Sequence, residues 1–256
     1  MCMKTIAIIQ ARMSSSRLPG KVLKDIAGKP MLGHVVERVC QAKGVDEVVV
    51  ATTTAPDDAA IEEYCRAQGI PVYRGSLYDV LDRFYQAALQ YQADVVVRVT
   101  ADCPLIDPGV IDLTLDAFHA SGADFAANRL PPPWKRTYPI GLDTEVCSLA
   151  ALERAWKEAT QAYQREHVMP YLYDQDGRFK VQVVDHDPDY GALRWTVDTP
   201  EDLEFVRRVF QLLDGSQVFT WLDILALTQQ HPELAAINAG VRHKTATDID
   251  ERLKPE

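Results

Sequence analysis

Cations and hydroxyl groups crowd one short stretch of the chain, directly after its first apolar run. Residues 6–9 predict a buried strand, and Arg12, Arg17 and Lys21 follow it with three serines among them. A strand followed by a loop of cations and hydroxyls is how an open α/β sheet presents groups to a phosphate. Residues 11–21, called here the basic loop, therefore predict a phosphate site. The alternative is a solvated, mildly basic surface loop.

Two common phosphate-binding motifs do not account for the basic loop. Gly20-Lys21 matches the end of a P-loop, but Ser15 stands where that motif has glycine, and Val22 replaces the hydroxyl that binds magnesium. The dinucleotide fingerprint needs closely spaced glycines, which the loop lacks. Phosphate binding here must therefore depend mainly on guanidinium and ammonium groups.

Two aspartates that follow apolar runs are candidates for holding a metal ion. Asp102 comes after the run 94–100, and Asp198 stands between a predicted strand at 192–197 and a helix start. Ligands gather at the carboxyl ends of strands in open α/β sheets, so both acids are expected to meet the basic loop. One or two carboxylates together with substrate phosphates commonly hold Mg²⁺. Alternatively, Asp102 only makes a turn and Asp198 only caps the next helix.

The composition is that of an ordinary globular protein with an uneven charge distribution. Hydrophobic residues make up 47% and charged residues 25% of the 256 positions, which is enough for a sizeable core. The formal net charge of −10 argues against a nucleic-acid partner, because such a partner needs a basic face. Residues 1–43 nevertheless hold eight cations and only two acids. This local positive field favours a small, highly anionic ligand.

The cysteines and the apolar runs bear on the compartment. Five cysteines are scattered singly with no C-x-x-C pair, which argues against a zinc site or a disulfide framework and favours a reducing compartment. No apolar run reaches 18 residues, and the N-terminal apolar stretch is shorter than a signal peptide requires. We therefore expect a cytoplasmic protein without membrane insertion.

Strand and helix patterns alternate along the first half of the chain. Apolar runs predict strands at 6–9, 45–51, 70–73, 94–100 and 124–128, and helical spacing predicts helices at 31–42, 57–68, 78–92 and 108–120. Asp57 is expected to cap the second helix. Alternation of this kind implies right-handed crossovers and a mostly parallel sheet covered on both faces. The predicted fold class is α/β.

The alternation breaks after residue 130. Three prolines in 131–134 predict a stiff loop. Later patterns predict strands at 179–184 and 192–197, helices at 148–158, 163–172 and 199–213, and two short helices within 220–239. We therefore expect a main domain over residues 1–213 with an insertion at about 130–180, followed by a helical appendage over 214–256.

Three stretches together resemble the CMP-sugar synthetases, or cytidylyltransferases. They are Ile-Gln-Ala-Arg-Met-Ser-Ser-Ser-Arg-Leu-Pro-Gly-Lys at 9–21, Ala-Asp-Cys-Pro-Leu-Ile at 101–106 and Val-Asp-Thr-Pro-Glu-Asp-Leu at 197–203. The sequence is most similar to the branch of spore-coat polysaccharide biosynthesis proteins. Tyr-Pro-Ile-Gly-Leu-Asp-Thr-Glu-Val at 138–146 and Arg-Glu-His-Val at 165–168 also resemble that branch. The resemblance covers about residues 4–213.

The resemblance implies a Rossmann-like nucleotidyltransferase fold and a Mg²⁺-dependent reaction for surface polysaccharide or glycan biosynthesis. A sugar hydroxyl would attack the α-phosphate of CTP, releasing pyrophosphate and leaving a CMP-sugar. Lys21, Arg12, Asp102 and Asp198 would be the catalytic residues, with the two aspartates holding the metal. The nucleotide-binding residues would be Gln10, Ala11, Arg12, Ser14, Arg17 and Lys21, joined by Thr52 and Ser76 on the ground of their predicted position in loops after strands. Gln10 departs from the proline that sugar-acid synthetases usually carry there.

The insertion would bind the acceptor sugar and help form a homodimer, by the same resemblance. Candidate sugar-binding residues are Arg129, Tyr138, Asp143, Glu145, Arg165 and His167. Arg165 could fork onto a carboxylate if the sugar is acidic. Alternatively, His167 is a packed helix residue, and the two acids only orient a nearby lysine or arginine.

Two other functions remain open from the sequence. The protein could be a nucleotidyltransferase that uses UTP or GTP with a sugar 1-phosphate, or a non-catalytic regulatory subunit that binds a nucleotide. The first reading, a cytidylyltransferase, is preferred because phosphoryl and nucleotidyl transfer need cations and a metal-binding acid pair rather than a protein nucleophile. The expected partners are CTP and a small sugar acceptor, with no nucleic acid and no membrane.

Overall fold

The computed structural model describes residues 3–131 and 134–242 and contains a central seven-stranded sheet. In chain order the strands are β1 Thr5–Gln10, β2 Asp25–Ile26, β3 Lys29–Pro30, β4 Glu47–Thr53, β5 Val72–Gly75, β6 Val95–Thr100, β7 Phe125–Ala127, β8 Glu145–Ser148 and β9 Val181–Val183. The sheet has the order β5-β4-β1-β6-β8-β7-β9, and β2 and β3 form a separate hairpin. Within the large sheet only β8 is antiparallel to its neighbours. The predicted mostly parallel α/β class is confirmed.

The helices follow the predicted alternation. They are α1 Met31–Val39, α2 Ala59–Ala67, α3 Val80–Gln90, α4 Pro108–Ser121, α5 Leu149–Glu158, α6 Ala162–His167, α7 Pro170–Tyr173, α8 Pro200–Leu212, α9 Trp221–Gln230 and α10 Pro232–Ile237. Two helices begin with side-chain caps: Ser148 accepts from the backbone N–H of Ala151, and Thr199 forms a capping box with Asp202. Such caps satisfy backbone N–H groups that a helix start leaves unpaired.

The sheet is buried on both faces, as the apolar strand runs predict. Along β1, Ala7 and Ile9 belong to one core cluster, and Ile6 and Ile8 belong to the other. Helices α1, α4 and α8 contribute to the first cluster, and α3, α5 and α7 contribute to the second. Since successive strand residues point to opposite faces, an unbroken apolar run is what a two-sided core requires.

The predicted strand at 192–197 is wrong. The N–H of Trp195 donates to the carbonyl of Ile140 (2.7 Å), and the N–H of Val197 donates to the carbonyl of Asp102 (2.8 Å). This buried segment therefore pairs with two different loops, not with a neighbouring strand, and only an isolated bridge forms. An apolar run predicts that a segment is buried. Whether the segment also forms a strand depends on a partner strand that is distant in sequence.

The predicted cap at Asp57 is also wrong. A short 3-10 turn, Pro56–Asp58, precedes α2, and Asp58 takes the N-cap position without capping through its side chain. The Asp58 carboxylate instead accepts from the N–H of Met13 (2.6 Å) and from the Thr53 hydroxyl. This acid therefore fastens the basic loop to the end of β4.

The C-terminal helices pack against the main domain. The N–H of Trp221 donates to Asp107 (2.6 Å), and the Arg38 guanidinium donates to the carbonyls of Gln217 and Phe219. Residues 132–133 of the predicted proline loop and 243–256 of the predicted appendage lie outside the described residues. Within the described part of the chain, no helix combines the length and apolar character needed to cross a bilayer.

Candidate active site

Lys21 lies between Asp102 and Asp198 at the carboxyl end of the sheet. Its ammonium donates to Asp102 Oδ2 (2.8 Å), Asp198 Oδ1 (2.9 Å) and the carbonyl of Val197 (2.7 Å). These bonds use all three N–H groups of an ammonium. The basic loop and two acids far apart in sequence therefore meet at one point. Lys21, Asp102 and Asp198 are called the lysine cluster below.

Sheet topology explains this convergence. Strands β1 and β6 are parallel neighbours, with Gln10 opposite Thr100, so the basic loop and Asp102 leave the sheet at the same edge. Asp198 reaches that edge because Val197 pairs with the backbone of Asp102. The site is thus assembled by two strand ends and one buried connecting segment.

A left-handed glycine turns the basic loop back toward the sheet. Gly20 has φ +67° and donates its N–H to the carbonyl of Met13 (2.9 Å). Residues with a Cβ rarely adopt this conformation, and glycine adopts it freely. The turn places Lys21 at the start of a 3-10 helix, where its side chain is directed to the two aspartates.

Three cations surround the carboxylate of Asp198. Besides Lys21, Arg17 and Arg194 approach its Oδ2 atom at 2.9 Å and 2.8 Å. Burial would raise the pKa of Asp198, but these cations hold it well below the ordinary value. For Lys21 the two effects have opposite signs. Burial alone would lower its pKa, but the negative charges of Asp102 and Asp198 outweigh burial and raise the pKa. Lys21 and Asp198 are therefore both ionised at neutral pH.

A second group of cations lies around His167 on α6. Burial, followed by the charges of Arg98, Arg129 and Arg12, lowers the pKa of His167 to about 4. Arg98 forms an ion pair with Glu145 across β6 and β8. The imidazole is neutral at neutral pH because burial, and then the neighbouring positive charges, disfavour its protonated form. Arg12, Arg98, Arg129 and His167, called the arginine cluster, thus form a positive region suited to an anion.

The depressed pKa of His167 predicts a pH-dependent stability. In the unfolded chain His167 takes up a proton near its ordinary pKa of about 6.5, whereas the folded protein resists it down to about 4. Stability contributed by this group is therefore present above about pH 6.5 and is lost as the pH falls toward 4. Because the imidazole is half-buried, we expect this loss to be about 2 kcal/mol.

Denaturant unfolding of the wild type and of His167→Gln at pH 7 and pH 4.5 measures this contribution. The wild type should lose more unfolding free energy on acidification than the variant does. His119→Gln, on the exposed side of α4, is the matched control and should behave as the wild type. Equal acid sensitivity in all three proteins would contradict the assignment.

Comparison with known proteins places this geometry in a family. The family model described as cytidylyltransferase matches residues 6–221. The chain belongs to the cytidylyltransferase family. Uncharacterized protein MJ1063 of Methanocaldococcus jannaschii is 37% identical over 97% of this chain and 100% of its own length. Spore coat polysaccharide biosynthesis protein SpsF of Bacillus subtilis is 31% identical over 89% of this chain and 95% of its own length.

A shorter match and a solved structure agree with the family. The 3-deoxy-manno-octulosonate cytidylyltransferase of Geobacter metallireducens is 44% identical over 43% of this chain and 42% of its own length. The solved structure of a cytidylyltransferase from Leptospira borgpetersenii has a TM-score of 0.85 at 34% identity and covers 91% of this chain and 97% of that one. The nucleotidyltransferase fold class expected from the sequence is confirmed.

The predicted nucleotide-binding residues of this cytidylyltransferase fall into two groups. The first group lies at the end of β1 or in the basic loop and comprises Gln10, Ala11, Arg12, Ser14, Arg17 and Lys21. The side chain of Gln10 accepts from Arg98 (3.1 Å). Thr52 differs, because it lies inside β4 and is fully buried, not in a loop as predicted. Ser76 does follow β5, and its hydroxyl accepts from the N–H of Asp79 (2.9 Å).

The predicted sugar-binding residues of the cytidylyltransferase are also divided by the structure. Arg129, Glu145 and His167 lie in or beside the arginine cluster. Asp143 pairs with Arg136 and lies 4.0 Å from Arg129. The two acids therefore contact arginines, which is the geometry of the alternative interpretation.

Two of the predicted sugar-binding residues are engaged elsewhere. The side chain of Tyr138 is 3% exposed and packs against His186 and Trp221. Arg165 forks onto Asp79, the cap of α3, with its closest contact at 2.5 Å. Tyr138 lies in an irregular segment and Arg165 lies on α6, and in neither case does residue type alone indicate what the side chain contacts.

Sequence reasoning missed several charged residues that support the cytidylyltransferase site. Arg98 interrupts the apolar run of β6, and that single charge in a buried strand was a usable signal. Arg194 and Asp202 pair beside Asp198, and Asp202 is fully buried. Their role depends on tertiary contacts, and only the four-residue spacing of Arg194, Asp198 and Asp202 pointed toward it.

Proposed function

We propose that the protein is a Mg²⁺-dependent cytidylyltransferase that transfers CMP from CTP to a hydroxyl of an acidic sugar and releases pyrophosphate. The observation that carries the proposal is the meeting of the basic loop with Asp102 and Asp198 through Lys21. A triphosphate needs cations along its length and a metal ion between carboxylates and phosphates. The lysine cluster offers both kinds of group at one edge of the sheet.

The lysine cluster has donor chemistry that suits Mg²⁺. Asp102 Oδ2 and Asp198 Oδ1 both accept from the Lys21 ammonium, so the two carboxylates lie close enough together to offer hard oxygen ligands to one ion when Lys21 contacts a phosphate instead. Within residues 3–131 and 134–242, no group of three or more His, Cys, Asp or Glu residues could hold a metal. Phosphate oxygens and water would therefore complete the coordination, which is usual for Mg²⁺. When bound, the ion would neutralise charge on the triphosphate.

The chain's own residues account for binding and orientation in the proposed reaction. Lys21, Arg12 and Arg17 neutralise the negative charge of the triphosphate and of the departing pyrophosphate. Positioning and charge neutralisation supply most of the rate of such transfers. Arg194 pairs with Asp198, so that carboxylate keeps its orientation when Lys21 contacts a phosphate. No protein nucleophile is required.

The arginine cluster supports an acidic acceptor. Burial, together with the charges of Arg98, Arg129 and Arg12, keeps His167 neutral, and the same three charges would attract an incoming carboxylate. The guanidinium groups of Arg98 and Arg129 can pair with a carboxylate in a fork geometry. The 3-deoxy-manno-octulosonate named for one relative is a sugar acid, which agrees with this preference. The name of the SpsF relative supports a place in surface polysaccharide biosynthesis.

A nucleotide panel followed by a turnover assay tests the function. Thermal unfolding is measured with CTP, UTP, GTP and ATP, each with Mg²⁺, and pyrophosphate release is then measured with a library of sugar acids, neutral sugars and sugar 1-phosphates. A ligand at 100 times its dissociation constant stabilises the folded state by about 2.7 kcal/mol, so selective binding is readily seen. We expect stabilisation by CTP and pyrophosphate release with a sugar acid.

The other outcomes identify the alternative functions. Pyrophosphate release from UTP or GTP with a sugar 1-phosphate would replace the proposal by the other nucleotidyltransferase activity. Tight CTP binding without turnover across the library would favour a regulatory subunit. A preference for neutral sugars would remove the arginine cluster from acceptor binding.

A further inference from the structure

We propose that Asn238, the residue directly after α10, is a positioning residue for Asp198 in the proposed CTP site. The inference rests on the proposed function, because it concerns how the metal-binding acid is held. Asn238 follows the last described helix and contacts no residue of the lysine cluster directly. It acts through Asp202 and Arg194, and each connection is a hydrogen bond between described residues.

Asp202 is the centre of this network. It is fully buried, and its carboxylate accepts from the backbone N–H groups of Asp198 (2.9 Å) and Thr199 (3.1 Å). It also accepts from the Arg194 guanidinium at two positions, both 2.9 Å. A buried carboxylate is tolerated only when hydrogen bonds and an opposite charge satisfy its oxygens. Asp202 therefore fixes both the backbone of Asp198 and the side chain of Arg194.

Arg194 transmits the position of Asp202 to the side chain of Asp198. Its Nη2 atom donates to Asp198 Oδ2 (2.8 Å) while the same guanidinium contacts Asp202. Because a guanidinium is planar and its donors are fixed relative to one another, the orientation of one carboxylate constrains the other. This constraint also sets the position of Asp198 Oδ1, the oxygen that accepts from Lys21.

Asn238 closes the network from the C-terminal side. Its amide donates to Asp202 Oδ1 (3.0 Å) and to the backbone carbonyl of Arg194 (3.2 Å). It is 7% exposed, so water cannot readily replace these bonds. One amide thus holds both the acid and the backbone of the arginine. A second contact, from Arg17 to the carbonyl of Arg242 (3.3 Å), brings the same C-terminal segment to the basic loop.

The test compares CTP affinity with and without Mg²⁺ in purified full-length protein. Asn238→Asp keeps the shape but places a carboxylate against Asp202, and Asn238→Ala removes the amide. We expect the dissociation constant of CTP with Mg²⁺, measured by calorimetry, to rise at least ten-fold in Asn238→Asp and about three-fold in Asn238→Ala. The dissociation constant without Mg²⁺ should change less than two-fold. A merely structural role would weaken both affinities alike.

Thr220→Ala is the matched control. It removes the cap of α9, where Thr220 accepts from the N–H of Asp223, without touching Arg194 or Asp202. Its CTP affinity should match the wild type under both conditions. If the Mg²⁺ effect of the wild type persists in both Asn238 variants, the inference is overturned and the proposed function stands. If Mg²⁺ does not change the wild-type affinity, the metal assignment and the inference fall together.

Discussion

Replacing Asp102 by asparagine is expected to lower CTP turnover by about 10²–10³-fold while the protein stays folded. The substitution keeps the size of the side chain and an oxygen that can accept from Thr100, which now contacts Asp102 at 2.6 Å. It removes the negative charge that faces Lys21 and the proposed metal position. Initial rates of pyrophosphate release from CTP, with denaturant unfolding of the same preparation, measure the two effects.

Asp112→Asn provides the control for the loss of a carboxylate. Asp112 lies on α4, away from both clusters, and accepts from the backbone N–H groups of Lys43 and Gly44. Its turnover should equal that of the wild type. A rate within a few-fold of the wild type in Asp102→Asn would remove Asp102 from the catalytic site.

Replacing Lys21 by methionine is expected to lower both stability and turnover. The ammonium is buried and compensates two carboxylates, and removing one partner of a buried ion pair costs about 3 kcal/mol or more. Arg17 and Arg194 still compensate Asp198, so we expect a loss near that lower bound. Turnover should fall by about 10²–10³-fold, because the triphosphate loses a cation.

The double variant Lys21→Met with Asp102→Asn separates these two effects. Removing the uncompensated charge of Asp102 should recover part of the unfolding free energy, and turnover should stay low. A double-mutant cycle of unfolding free energies gives the coupling between the two side chains. Additive losses of stability would show that the charges do not interact, contrary to their 2.8 Å contact.

The sequence predicted the lysine cluster because its geometry follows from topology. Parallel neighbouring strands end on one edge, so the residues after β1 and β6 must be close whatever the loops do. The same argument also placed Asp198 at this edge, although the segment before it is not the strand that was predicted. Residues 192–197 are a buried segment that pairs with two loops. Burial of an apolar run was enough to place the acid.

Two of the candidate sugar-binding residues contact other side chains in the structure, and the sequence around them does not indicate this. Tyr138 packs among aromatic rings, and Arg165 forms an ion pair with Asp79. A polar residue has the same sequence signature whether it contacts a ligand or another side chain. The link from Asn238 to Asp202 joins positions 36 residues apart through a helix pair. This contact forms only in the folded protein and has no signature in the sequence.

The engagement of every N–H of Lys21 has a consequence for how ligands enter. An ammonium whose three donors are already bonded can contact a phosphate only by giving up an existing partner. A phosphate that binds Lys21 therefore replaces one of its present partners. The contribution of Lys21 to nucleotide affinity is then the difference between two contacts of similar strength. This difference in free energy is smaller than the free energy of either contact. A modest change in the bonds that Lys21 makes without nucleotide would therefore change nucleotide affinity.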